Sequence, residues 1–386
     1  MRGTPSRSRI VMLLTNPATY DQRPLKEGHS LSRSGFDVTI LAWDRDRETQ
    51  SDSVYADGLK IKRFRLEAGH GTPQFTVPKL LVFYVWALIQ LMASRADVVH
   101  SHDVDTLPVG LAGRVMGVHP PKLVYDMHDL PEAFLKFFPL VRWTQSIALA
   151  FGARWADMVL VVNDRFVSYL SKLGFERTKM VVVMNAPPAE GPVARKAEKG
   201  VFKVLYYGWL GESRGVKPLV EAVKGLQGVE LTLAGRGELE SWLEATAAKE
   251  PNIRFVGWLG MKDLEPLIRA SDLIPSVYEA KSVNTKLSTP GKVFTAMSLS
   301  LPIVVPSNTF QSEIVERYGC GVAVDYNDPG ALRKAIVELA TDRELYQRLG
   351  SASHEAFLSS FSWEANAGRL RDGYERVLGV DVRVRA

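Results

Sequence analysis

A single cysteine in 386 residues excludes an intrachain disulfide and any zinc cluster built on thiolates. Cys320 stands between Gly319 and Gly321, where a thiol reads as a small buried hydrophobe in a turn. A secretory leader is not expected either. Ile10–Leu14 is a short apolar run after Arg7 and Arg9, and NPATYDQR follows it without a cleavage pattern. A reducing, cytoplasmic setting is the expectation. The longest apolar stretch, Leu80–Ala93, is too short to cross a bilayer and contains Gln90. It reads as a core helix, with a membrane-facing helix carrying Lys79, Tyr84 and Trp86 as the lesser alternative. No RNP-like, zinc-finger or basic-helix pattern accompanies the basic residues, which argues against nucleic acid as a partner. The first strand–helix junction, TNPATYDQRP, also lacks G-x-G-x-x-G, which counts against a dinucleotide-dependent oxidoreductase.

What is present is an ordinary globular composition, 46% hydrophobic and 24% charged, in a chain long enough for two domains. The net charge of +5 is uneven: residues 1–190 carry 23 Lys and Arg against 19 Asp and Glu. The excess therefore lies in the first half, where a mildly basic face toward anionic lipid or an anionic substrate is expected. FLKFFPLVRW, in which Lys136 and Arg142 are interspersed with Phe134, Leu135, Phe137, Phe138 and Trp143, is a further candidate for such a face.

Short apolar runs alternate with amphipathic segments along the first half: RIVMLLT, DVTILAW, LKIKRFRL, DVVHSH, KLVYDMH, MVLVVN and MVVVMN. After Asn185, APPAEGPVARKAEKG has no periodicity and reads as a linker. The alternation then restarts with FKVLYYG, VELTLAG, IRFVGW, DLIPSV, LPIVVPS and GVAVD. The expectation is α/β: two tandem doubly wound units over residues 1–186 and 201–362, joined by 187–200. The helix of residues 363–386 would return to the first unit.

Ligands of such sheets bind at the carboxyl ends of strands, so residues just after strands carry the functional signal. In NTKLSTPGKVFTAMSLSLPIVV a polar loop leads to a helix opening at Pro290. Around its free amides stand Lys286, Ser288, Thr289, Gly291 and Lys292, a mouth suited to an anion. Gly208 ends one strand in YYGWLGESRGVKPL, and Arg214 stands at the following helix start, where a guanidinium can hold phosphate. LAGRGEL repeats the strand–glycine–helix arrangement more weakly. In the first half, Asp21 and Arg23 stand in the first loop, His100 and His102 share one face of a second strand with Asp103 and Asp105 just beyond it, and a third strand ends in Asp126, His128 and Asp129. A metal is conceivable there, but Arg23 would compete with a cation, and an organic substrate is the stronger reading.

Together, in order and spacing, these segments resemble the retaining glycosyltransferases of family 4, which have the two-Rossmann GT-B fold. The resemblance runs over essentially the whole chain, from DQRPLKEGHSLSRSGFDVTILA through KLVYDMHDLPE to YYGWLGESRGVKPLVEA and NTKLSTPGKVFTAMSLSLPIVV. It implies a nucleotide-diphosphate sugar, UDP- or GDP-linked, in the second domain, and no metal or other cofactor. Arg214 and Lys292 would meet the diphosphate, with Gly208, Lys286, Ser288, Thr289 and Gly291 around donor sugar and phosphate. The nucleobase would lie against the backbone at Phe255 and Val256. His128 would face the transferred sugar, and Asp21, Arg23, His102, Asp103 and Asp129 would meet the acceptor, a glycan or a polyprenyl- or lipid-linked sugar. One departure stands out: the glutamate that usually holds the ribose is replaced by Thr295, and an earlier one falls at Leu287. That departure keeps a second reading open, a catalytically weak protein that binds nucleotide or glycan for a partner. A sugar-nucleotide epimerase of the same fold is a third.

Overall fold

The computed structural model describes residues 7–19, 22–47, 49, 52–68, 73–127, 129–130, 150–152, 154–189 and 200–380. His128, Asp21 and the FLKFFPLVRW segment lie outside the described residues. The chain divides into two compact α/β units, Met1–Met184 with Asn366–Ala386, and Asn185–Ala365.

The first unit is built on β1 (Arg9–Leu14), β2 (Asp37–Asp44), β3 (Asp52–Val54), β4 (Lys60–Arg65), β5 (Val98–His102), β6 (Lys122–Met127), β7 (Met158–Val161) and β8 (Met180–Val182). They form one sheet in the order β3-β4-β2-β1-β5-β6-β7-β8, parallel except for β3 against β4. The near-continuous apolar letters of β1 reflect its place: Ile10 to Leu14 are all buried, as expected of a central strand covered on both faces. The order of connections reverses between β1 and β5, which sets the crevice of this unit beside their carboxyl ends. Helices α1 (Gln22–Arg33), α2 (Pro73–Ser94), α3 (Asp103–Met116) and α4 (Asp164–Lys172) connect the strands.

The helix expected as core over Leu80–Ala93 is only half so. Phe83, Ala87 and Leu91 of α2 are buried, and Phe83 stacks 5.5 Å from Trp43, whereas Leu81, Val82, Val85 and Ile89 are more than half exposed. A helix that is apolar all round has two apolar faces, and the sheet covers only one of them.

The second unit has β9 (Phe202–Trp209), β10 (Val229–Arg236) and β11 (Ile253–Phe255) in one parallel group, and β12 (Ile303–Pro306) with β13 (Gly321–Val324) in another. DLIPSV, read as a strand, makes a single bridge, Leu273 to Val204, although Leu205 donates to Leu273 and Ser276 to Val304. Pro275 inside it has no amide to give, which limits it to isolated contacts on either side. Helix α5 (Val216–Val223) lays Leu219, Val220 and Val223 on Val204, Tyr206 and Leu231, within one buried cluster. Helices α6 (Glu240–Ala247), α7 (Met261–Ala270), α8 (Val283–Leu287), α9 (Gly291–Ser298), α10 (Phe310–Tyr318), α11 (Pro329–Thr341) and α12 (Arg343–Ala356) complete the layers. The last helix, α13 (Trp363–Leu378), carries Asn366 and Tyr374 into the first unit, where Asn366 accepts from the Met184 amide at 2.7 Å.

Candidate active site

At the carboxyl ends of β9 and β10 the two strands run in register with Gly208 opposite Gly235. Gly235 has φ 150°, and a Cβ there would fall 1.9 Å from the Gly208 carbonyl oxygen. Only glycine lets the two backbones approach so closely. The approach leaves a cavity of about 270 Å³ over the strand ends, lined by Tyr207, Trp209, Arg236, Trp258, Leu259 and Leu264 among others. Trp209 and Trp258 are 56% and 61% exposed, and the Arg236 guanidinium lies 5.5 Å from the Trp258 ring centre.

Helix α9 points its amino end at this edge. It starts at Gly291, one residue after the expected opening, with Pro290 as its N-cap, and a proline supplies no capping side chain. From its first turn Lys292 extends back to β9. The amine donates to the Tyr207 carbonyl at 3.0 Å and rests 4.0 Å from the Tyr206 ring centre. Burial, reinforced by the Arg214 charge, brings this amine down to about 7. Arg214 itself is exposed, in a short 3-10 turn that precedes α5, and its charge also works against the burial that pushes the Tyr206 phenol up to about 12. Among the described residues neither Lys292 nor Arg214 has an acidic partner within ion-pair distance. Two neighbouring cations at a helix amino end, without a carboxylate, make a place for a polyanion.

The loop before α9 is held from below. Tyr278 donates to the Thr285 carbonyl at 2.9 Å and is hydrogen-bonded by Gln311 and Ser288. Helix α8 is closed by a capping box between Ser282 and Thr285. Ser288 and Thr289 follow it half-buried, whereas Lys286 is exposed. Thr295 turns its hydroxyl to the Gly291 carbonyl at 3.2 Å and to the Tyr207 phenol. The structure thus brings Gly208, Arg214, Lys292 and Thr295 together around Tyr206 and Tyr207.

The backbone at Phe255 and Val256, where the base is expected, is engaged in part. The Val256 amide donates to Leu233, the Gly257 carbonyl accepts from Gly235, and Phe255 packs on the core. The open surface lies beyond it, at Trp258. Trp209, Arg236 and Trp258 were not among the expected site residues; a tryptophan just after a strand-end glycine, in FVGW, is the signal that could have found Trp258.

In the first unit, Arg23 and His102 occupy a buried network instead of an acceptor surface. Arg23 is 1% exposed, with Nε 2.8 Å and Nη2 2.7 Å from the two Asp126 oxygens. Its Nε also lies 3.1 Å from Glu27, and Nη1 donates to the Val183 carbonyl at 2.7 Å. His102 Nδ1 is 3.0 Å from Asp126, and its ring stacks at 4.1 Å on His100, which meets the Tyr374 hydroxyl at 2.7 Å. Glu27, His100, His102 and Asp126 place ligand atoms within 4.8 Å of one another, spacing that suits a metal. The guanidinium of Arg23 already supplies the cation between two of those carboxylates.

Asp103 opens α3 at φ 60°, beside the switch point. Its neighbour Asp105 accepts from the Thr15 hydroxyl, and burial followed by the Asp103 charge raises its carboxyl to about 6. Asp129 lies half-buried just past β6.

Comparison with known proteins agrees with this architecture. Residues 23–186 match the model described as Glycosyl transferase 4-like domain, and residues 201–342 match Glycosyl transferases group 1. A glycogen synthase of Mycobacterium tuberculosis is 28% identical over 88% of this chain and 86% of its own length. Among solved structures, sucrose-phosphate synthase from Thermosynechococcus elongatus superposes with a TM-score of 0.79 at 18% identity, covering 97% of this chain and all of that one. Anabaena HepE, solved in complex with UDP and glucose, gives 0.71 at 16% identity over 96% of this chain and 100% of its own. With two Rossmann-like units in tandem, and each matching its half of one enzyme family in order, the chain belongs to the family 4 glycosyltransferases of the GT-B fold.

Proposed function

We propose that this glycosyltransferase takes its sugar from a nucleoside-diphosphate donor, UDP- or GDP-linked, and transfers it with retention and without a metal to a glycan or lipid-linked acceptor. The observation that carries the reading is the pair Lys292 and Arg214, two neighbouring cations at the amino end of α9 with no carboxylate partner among the described residues. A diphosphate would relieve their repulsion. As the glycosidic bond to the donor breaks, negative charge grows on the departing phosphate, and preorganised cations and amides stabilise it there. Retention follows if the acceptor hydroxyl attacks from the leaving-group face and gives its proton to the departing phosphate oxygen. His128, by the resemblance, would face the transferred sugar. That HepE was solved with UDP supports a uridine donor.

Calorimetry with UDP, GDP and ADP tests the reading. One nucleoside diphosphate is expected to bind in the micromolar range and to lose about tenfold or more on Arg214→Ala, the scale of a charge-assisted contact of roughly 1.5–3 kcal/mol. Absence of binding for all three overturns the donor site. The weakly catalytic alternative draws on Thr295, whose hydroxyl is occupied within the protein; nucleotide binding without turnover on any acceptor would favour it. Peripheral contact with an anionic membrane, in a cytoplasmic setting, belongs to the same proposal.

A further inference from the structure

Among the described residues the outward face of α2 has no cover. Val77, Leu81, Val85, Ile89 and Met92 recur at helical spacing along one row, with Val82 beside them, and are 38–61% exposed. From Val77 to Ser94 the segment has a mean hydropathy of 1.6, and 17% of it is buried. An isolated exposed leucine needs no explanation, but a continuous apolar row of this length marks a contact surface. Phe83, Ala87 and Leu91 bind the opposite row to the sheet, so the helix is fixed along the surface of its unit and lies flat against whatever covers it.

The face continues onto α3. Val115, Met116 and Val118 at its carboxyl end are 62–88% exposed. The two helices touch where Gly113 meets Leu91, since a Cβ on Gly113 would lie 2.4 Å from Leu91 Cδ2. Between their ends opens a cavity of about 300 Å³, lined by Leu91, Met92, Ala96 and Val118 with Arg95 and His119 at its edge.

Charge identifies the occupant. Between Val77 and Arg95 there is no Asp or Glu, while Lys79 and Arg95 stand at the two ends of that apolar segment. Lys62 adds a third cation alongside, 3.4 Å from Gln90. An apolar row edged by bases complements a bilayer with anionic headgroups: the row enters the acyl boundary and the bases remain at the phosphates. A second copy of the chain would bring the same cations toward each other with no acid on the helix to answer them.

We infer that the α2 face, extended by the end of α3, docks this enzyme on an anionic lipid bilayer. The inference gives a place to the membrane contact in the preceding reading and is independent of the donor chemistry. The test attaches an environment-sensitive fluorophore to Val85→Cys in the full chain; the native Cys320 is buried and leaves the new thiol as the labelling site. Vesicles of phosphatidylcholine are compared with vesicles that also contain phosphatidylglycerol. A blue shift with severalfold brightening is expected on the anionic vesicles, reduced by high salt, with no change for a label at Lys249→Cys. Leu81→Asp with Ile89→Asp should cut vesicle cosedimentation by about tenfold or more. If that double variant fails to fold, the Val85 label still decides the question. No shift on either vesicle overturns the inference. So does a shift without vesicles that grows with protein concentration, which would assign the face to a second copy. UDP binding measured on the same sample stands or falls separately.

Discussion

Lys292 holds its amine 4.0 Å above the Tyr206 ring, in the same place where it donates to the Tyr207 carbonyl. The ring face and the carbonyl both favour the charged amine, while burial and Arg214 oppose it, and the balance falls near neutrality.

Donor affinity should therefore depend on pH. Below about 7 the amine is charged and an anion meets two cations; above it, binding must first take up a proton. UDP-sugar affinity is expected to fall as pH rises past 7, by up to about tenfold per pH unit. Lys292→Met should flatten the profile. Stability runs the other way. The folded-state value lies below the ordinary 10.5, so between about 7 and 10.5 only the unfolded chain holds the proton and stability increases with pH. Denaturant titrations of wild type and Lys292→Met at pH 7 and pH 9 check the sign.

Thr295→Glu restores a carboxylate at the position where the family usually has one. If the ribose lies there, donor affinity should rise by about fivefold, the scale of roughly 1 kcal/mol for a hydrogen bond to a charged acceptor. Unchanged affinity in calorimetry would move the ribose elsewhere.

Trp258→Ala removes an exposed ring from the cavity edge. Base–aromatic stacking is worth about 1–3 kcal/mol, so nucleotide affinity should fall roughly tenfold if the base uses that ring. The quench of tryptophan fluorescence on nucleotide binding should shrink in Trp258→Phe. An unaltered quench assigns the base to another surface.

Asp126→Asn leaves the buried Arg23 guanidinium with one carboxylate fewer. Breaking a buried pair by removing one partner costs about 3–5 kcal/mol, and the midpoint of urea unfolding should drop accordingly. A midpoint within error of wild type would mean that water or relaxation compensates the loss.

The sheet was legible because buried parallel strands advertise themselves as short apolar runs, and β1, β2, β5 and β10 stand where those runs do. The three-residue edge strand β3 was not, since DSV carries no burial signal. DLIPSV misled for the opposite reason: its letters are apolar, but Pro275 withholds an amide. At the proposed donor site the chemistry of Lys292 and Arg214 could be read from strand–glycine–helix order. Hydrogen-bond occupancy could not. Letters do not reveal that the Val256 amide is spent on β10, or that Arg23 faces Asp126, 103 residues away. The two faces of α2 were likewise indistinguishable, because hydropathy records what a helix is made of and tertiary packing decides which side is covered.

Tyr374 reaches His100 across 274 residues, from the last helix to a strand of the first unit. On the ribosome, the second unit is synthesised before that tyrosine emerges. The amino-terminal unit must therefore wait, with its strands made and its closing helix still missing, until the whole second unit has been translated. Its final consolidation comes after synthesis of the second unit, and a premature stop anywhere in the last few turns of that helix would cripple the half of the protein that was made first.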